Sequence, residues 1–132
     1  MKKILLLLIT LQALLLAGFT GVNTAELDAL VKKGAPVIDI RTPSEWKEGI
    51  IPGAHKIMFF DENGKYDIDK FMAALNKVVS DKNQPFILVC RTASRTKMLG
   101  KFLGGEAGYA NVKELSGGMM WGWNNQNKPV EK

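Results

Sequence analysis

The chain has 132 residues and a formal charge of +5, with 46% hydrophobic and 23% charged residues, a balance that excludes wholesale disorder. With a leader set aside, about 110 residues remain, room for one core but not for two domains. Lys2 and Lys3 belong to that leader, so the rest carries only a mild positive excess; this suits an anionic ligand, and no basic–aromatic array suggests nucleic acid.

Ile4 to Ala17 runs apolar, broken only by Thr10 and Gln12. Roughly 14 residues is short of the about 20 that a membrane span needs, and it fits the apolar region of a secretory signal. Residues 1–20 are therefore expected to form a signal peptide, with Gly18 and Thr20 at the small-residue positions of a cut after Thr20. A cut after Ala25 would remove a helix cap. The alternative is an uncleaved membrane anchor, since the apolar stretch extends to Val22. The expected location is outside the cytoplasmic membrane, in the periplasm of a bacterial source, with membrane contact only if the leader is kept. No Cys follows the apolar run, which excludes a bacterial lipoprotein.

From Val22 to Val130, short apolar runs alternate with helical ones, the pattern of strand–helix units on a parallel sheet. Asn23-Thr24-Ala25-Glu26 reads as a capping box. It opens a helix with Leu27, Leu30 and Val31 on one face, stopping at Gly34. Pro36 to Arg41 is a buried central strand, rich in β-branched residues. Thr42-Pro43-Ser44-Glu45 starts a short helix, bracketed by Gly49 and Pro52. Ala54 to Phe60 holds another short strand. Asp67 caps a helix bearing Ile68, Phe71, Met72, Leu75, Val78 and Val79. Phe86-Ile87-Leu88-Val89 is a continuous apolar strand that delivers Cys90 at its carboxyl end. Arg91 to Thr96 forms a loop, and Met98, Leu99, Phe102 and Leu103 begin a stripe that breaks at Gly104-Gly105. Asn111 to Leu115 is the last strand, ended by Gly117-Gly118.

Ligands of open parallel sheets sit beyond the carboxyl ends of the strands, where Cys90 falls. It is the only cysteine, so an internal disulfide and a Cys-based zinc site are both excluded. A following helix start, with Arg91 and Arg95 close by, favours the attacking thiolate. The residues alone also allow a buried structural thiol. Asp39 and Arg41 end a strand beside this point. They either help shape the site, with Arg41 pairing to Glu45 or another carboxylate, or form a structural ion pair. Lys97 and Lys101 either steer an anion or are a solvated face. Trp46, Trp121 and Trp123 read as packing residues, Met119-Met120 as gap filling and His55 as an ordinary polar residue.

Cys90-Arg91-Thr92-Ala93-Ser94-Arg95-Thr96 resembles the active-site loop of rhodanese-type sulfurtransferases, in which a Cys is followed after four residues by an Arg. Val37 to Trp46 is similar to that family's Asp-x-Arg segment and following helix. Gly49-Ile50-Ile51-Pro52-Gly53-Ala54 resembles its Gly-His-Ile-Pro-Gly-Ala motif. Gly108 to Val112, Gly117-Gly118, Trp123 and Pro129-Val130 resemble its C-terminal features. The resemblance implies a rhodanese-like domain over 22–130, an α/β fold with about five parallel strands and helices on both faces. It implies transfer of a sulfane sulfur from an anionic donor, such as thiosulfate or polysulfide, to cyanide or a thiol. Cys90 would carry the persulfide, the loop from Arg91 to Thr96 would bind it, and Asp39 and Arg41 would support it. No cofactor or metal is expected. The alternatives are a sulfur carrier that delivers persulfide to a partner protein, and a cysteine phosphatase or arsenate reductase-like enzyme. Phosphatases of a related fold carry one more residue before the Arg, and here that position is Thr96. Three departures stand out: Ile50 replaces His, Ala93 stands where Gly is frequent, and the spacing from Gly118 to Trp123 is one residue long.

Overall fold

The structure, a computed structural model, describes residues 18–132. Its strands are β1 (Phe19–Val22), β2 (Val37–Asp39), β3 (His55–Lys56), β4 (Phe86–Val89) and β5 (Val112–Leu115). Between them run helices α1 (Thr24–Lys32), α2 (Pro43–Trp46), α3 (Ile68–Val78) and α4 (Ser94–Gly104). The strands pair in parallel in the order β1-β5-β4-β2-β3, the expected α/β architecture.

Central β4 explains the apolar run that encodes it, because all four residues are buried. Strand alternation sends Phe86 and Leu88 toward Phe71 and Leu75 of α3 and Leu99 and Leu103 of α4. Ile87 and Val89 meet Leu27 of α1, with Met119 and Trp123, on the opposite face. Each such side chain contributes about 1.5–3 kcal/mol by leaving water. Cys90 continues the phase of Phe86 and Leu88, so it packs in the cluster that holds α4.

The helix starts follow their sequence signals. Glu26 N donates to Asn23 Oδ1 at 2.8 Å and Asn23 N donates to Glu26 Oε1 at 3.1 Å, a complete capping box. Lys70 N donates to Asp67 Oδ1 at 3.1 Å. Gly34, at φ +97°, closes the exit of α1.

Two expectations are corrected. The strand expected over Ala54–Phe60 shrinks to β3 at the sheet edge. Beyond it Phe59 turns inward against Phe71, ring centroids 5.1 Å apart, instead of alternating across an edge with no further strand. The second correction concerns where the domain begins. Residues 1–17 of the expected leader lie outside the described residues, but its last three do not. Gly18 O accepts from Val112 N at 2.9 Å, and Phe19 and Thr20 pair with Val112 and Lys113 as part of β1. Gly100 leaves room for the Phe19 ring, and Gly104 lies against the Gly18 backbone. The folded unit thus includes Gly18 to Gly21, ahead of the expected start at Val22, and a cut after Thr20 would fall inside a strand. The strand escapes notice because Phe19 to Val22 continues the leader's apolar character with no turn signal between.

Candidate active site

Beyond β4 the chain turns sharply into α4. Helix α4 begins at Ser94, so Ser94, Arg95 and Thr96 lie in its first turn and not in the loop expected there. The residue before it, Ala93, sits at φ 71°, ψ 5°, the left-handed region. An alanine there costs on the order of 1 kcal/mol relative to glycine, which explains why Gly suits this position. No side chain caps the helix. From Arg91 to Thr96 no backbone N–H meets a protein acceptor among the described residues. Successive free N–H groups at a helix start form an anion-binding nest, reinforced by the helix dipole.

A second segment holds the turn in place. Met119 N donates to Cys90 O at 2.9 Å and Met120 N donates to Arg91 O at 3.0 Å. Gly118 makes this approach possible: it has φ +64°, and a Cβ there would lie 2.5 Å from Arg91 O. The extra residue between Gly118 and Trp123 is absorbed by a π-helical turn over Met119–Trp123, closed by Asn124 N to Met119 O. The wider turn still buries Trp123, whose Nε1 donates to Pro129 O at 2.8 Å.

Three ion pairs surround Cys90. Arg41 donates through Nε and Nη2 to Asp39, the latter at 2.8 Å, and through Nη2 to Gly49 O. Trp46 Nε1 adds a bond to Asp39 Oδ1 at 3.1 Å. Both members are buried, so Arg41 finds its carboxylate in Asp39 and not in Glu45. Glu45 instead receives Arg95 Nη1 and Nη2, each at 2.8 Å, a bidentate clamp from α4 to α2. Burial alone would raise the Glu45 pKa. Arg95, with the Thr42 N–H and hydroxyl, more than reverses that and lowers it from 4.5 to about 2. Glu45 in turn raises the Arg95 pKa against its burial, with smaller help from Cys90 and Asp39. The third pair joins Lys97 Nζ to Glu114 Oε1 at 2.7 Å.

Cys90 is fully buried, and its Sγ lies 3.6 Å from Thr96 Oγ1. Thr92 and Ser94 are exposed, as is Arg91. A cleft of 390 Å³ opens beside them, walled by Arg41, Glu45, Glu48, Arg91, Met120 and Asn124. A larger cavity of 460 Å³, between Lys56 and Ala74, takes no residue from the loop. The structure therefore gathers Cys90, Ala93, Arg95, Thr96, Asp39 and Arg41 around one turn. Glu114, Gly118 and Met119 join them without having been singled out for a role at the site. Glu114 carried a signal, since it is a charge within a strand that is otherwise nearly all buried. Ile50 is buried, its backbone bridged to Glu131. Trp121, expected to pack, is 62% exposed, because the π-helical turn faces it outward.

An all-parallel sheet that presents a cysteine at a strand end, under an uncapped helix start, defines a class of α/β protein with a cysteine-bearing loop at the carboxyl edge of its sheet. A family model, the rhodanese-like domain, matches residues 23–125, and the chain belongs to that family. Solved structures agree. The reduced Bacillus anthracis CoADR-RHD is 26% identical with TM-score 0.65, over 86% of this chain and 18% of that one. A rhodanese-like domain protein from Staphylococcus aureus is 23% identical with TM-score 0.59, over 86% and 99%. RPA3614 of Rhodopseudomonas palustris, described as a possible tyrosine phosphatase, is 23% identical with TM-score 0.60, over 91% and 92%. No curated protein matches the chain.

Proposed function

We propose that the protein is a sulfurtransferase that carries sulfane sulfur as a persulfide on Cys90. The observation that carries this reading is the run of unpaired N–H groups from Arg91 to Thr96 around a cysteine at the end of β4. Cys90 thiolate attacks the outer sulfur of a donor such as thiosulfate. A new S–S bond forms, the donor's S–S bond breaks, and sulfite leaves with the electron pair. The terminal persulfide sulfur is anionic and suits the loop's N–H donors. Cyanide or a thiol then attacks that sulfur and expels Cys90 as thiolate, giving thiocyanate or a new persulfide. Two easier displacements replace one. Exposed Arg91 at the cleft attracts the donor. Arg95 is clamped by Glu45, so its part is to brace the turn rather than to hold the sulfur directly.

The test is sulfur transfer from thiosulfate to cyanide, run beside Cys90→Ser. Turnover that disappears in the variant is the expected result; turnover that survives would end the reading. A second reading is a carrier that hands persulfide to a partner protein. It predicts one round of loading from polysulfide, seen as a mass increase, without steady turnover. A phosphatase reading would require Cys90-dependent cleavage of an aryl phosphate. The leader suggests that the work is done outside the cytoplasmic membrane. Because Phe19 and Thr20 belong to β1, processing that spares the strand cuts before Phe19 or leaves the leader attached.

A further inference from the structure

Glu114 is a buried charge that the persulfide chemistry leaves without a task. It lies in β5, in register with Leu88 of β4, and is 3% exposed. A carboxylate in such a place needs partners for both oxygens. Oε1 accepts from Lys97 Nζ at 2.7 Å, and Oε2 accepts from Thr96 Oγ1 at 2.6 Å. The same Thr96 hydroxyl lies 3.6 Å from Cys90 Sγ and is the thiol's only hydrogen-bond partner among the described residues.

A hydroxyl has one proton to give. The short bond to a charged acceptor takes it in preference to Ala93 O, 3.1 Å away. Thr96 then has only lone pairs to offer the sulfur, so it accepts from the S–H of Cys90. Ionising the thiol requires the Thr96 proton to turn from Glu114 to sulfur, which strips a buried carboxylate oxygen of its donor. The other charges nearest Cys90 are tied up differently: Asp39 of β2 holds Arg41, Arg95 of α4 holds Glu45 of α2, and Lys97 holds Glu114. Arg91 follows in sequence and is exposed.

We propose that Glu114 is a positioning residue that acts through Thr96 to hold resting Cys90 as the thiol. The resting protein is then less open to oxidation, since the thiolate is the oxidised form's precursor. This deepens the persulfide reading by naming what governs its nucleophile, yet its test needs no sulfur transfer. Ionisation of Cys90 is followed across pH by ultraviolet thiolate absorbance and by the rate of iodoacetamide alkylation. The proteins compared are the full chain, Glu114→Gln, Thr96→Val and the double variant. Glu114→Gln is expected to move the midpoint down by about one pH unit, because the Thr96 proton, no longer held by a charged acceptor, can turn to the ionised sulfur and stabilise it. With Thr96→Val already present, the same change should move it much less. An unmoved midpoint in Glu114→Gln, or an equal shift with and without Thr96, overturns the proposal. Should Glu114→Gln fail to fold, Lys97→Met at the exposed end of the pair serves instead. It leaves Glu114 more dependent on Thr96 and raises the midpoint, and a fall or no change overturns the proposal. Persulfide chemistry absent throughout, with these shifts present, would sink the sulfurtransferase reading alone.

Discussion

Removing the clamp between Glu45 and Arg95 tests how the nucleophile's turn is braced. The change is Glu45→Gln, which keeps shape and loses charge. In the folded chain Glu45 titrates at about 2 against an ordinary 4.5. At about 1.4 kcal/mol per unit, the full shift corresponds to about 3 kcal/mol. Both side chains are 22% exposed, so solvent and salt screen the pair, and about 1–2 kcal/mol is the expected effect. The folded value lies below the unfolded one. The contribution is therefore complete well above 4.5 and is lost as pH falls from there through about 2. Urea unfolding of both proteins should show a gap of about 1–2 kcal/mol near pH 6, shrinking to less than half near pH 3. A gap that does not change with pH would mean that Gln merely packs worse. No gap near pH 6 would mean that the clamp is fully screened, and the assignment of Arg95 as a brace would fall.

Other perturbations probe the rest of the site. Asp39→Asn leaves buried Arg41 without its counter-charge and should cost about 3–5 kcal/mol in urea unfolding; a cost below about 1 kcal/mol would show that the pair is dispensable. Gly118→Ala places a Cβ 2.5 Å from Arg91 O at a positive φ. It should lower Tm and cut any Cys90-dependent transfer at least tenfold, and a variant with unchanged Tm and activity would deny that this close approach fixes the turn. A chain starting at Gly21 loses Phe19 and half the β1 ladder and should be less stable by about 2–3 kcal/mol. Intact mass of the natural product should show no species starting at Gly21; finding one as the main form would mean that the edge strand is dispensable.

The fold was readable where a residue's local signal agrees with its long-range contacts. Phe86 to Val89 is uniformly apolar because both faces of β4 are covered, and Asn23 and Asp67 cap helices that the rest of the chain also favours. Failures came where the partner is distant in sequence. Phe19 to Val22 has no strand signal of its own and becomes β1 only because β5, some ninety residues later, offers an unpaired edge. The first turn of α4 was hidden because Ser94, Arg95 and Thr96 belong to a motif that reads as loop. Only the left-handed turn at Ala93 shows that the helix has already begun. Cys90 was legible from position. The partners of Arg95 and Arg41 were not, because Glu45 and Asp39 are both near enough to serve either arginine and geometry alone decides.

That decision changes the electrostatics of the site. Read from sequence, Arg91 and Arg95 are two charges that draw an anion toward Cys90. In the fold Arg95 is neutralised by Glu45, Arg41 by Asp39, and Lys97 by Glu114. The long-range field at the cleft is correspondingly reduced to that of exposed Arg91, and on the proposed reading close recognition of the donor falls to backbone N–H groups that act only at contact distance. Paired charges give little steering, whereas dipoles acting at contact distance are barely screened by salt. Raising ionic strength from about 0.05 to 0.5 M should therefore change kcat/KM for an anionic donor by less than about threefold. A fall of tenfold or more would mean that a free cationic surface, not the turn beyond β4, captures the donor.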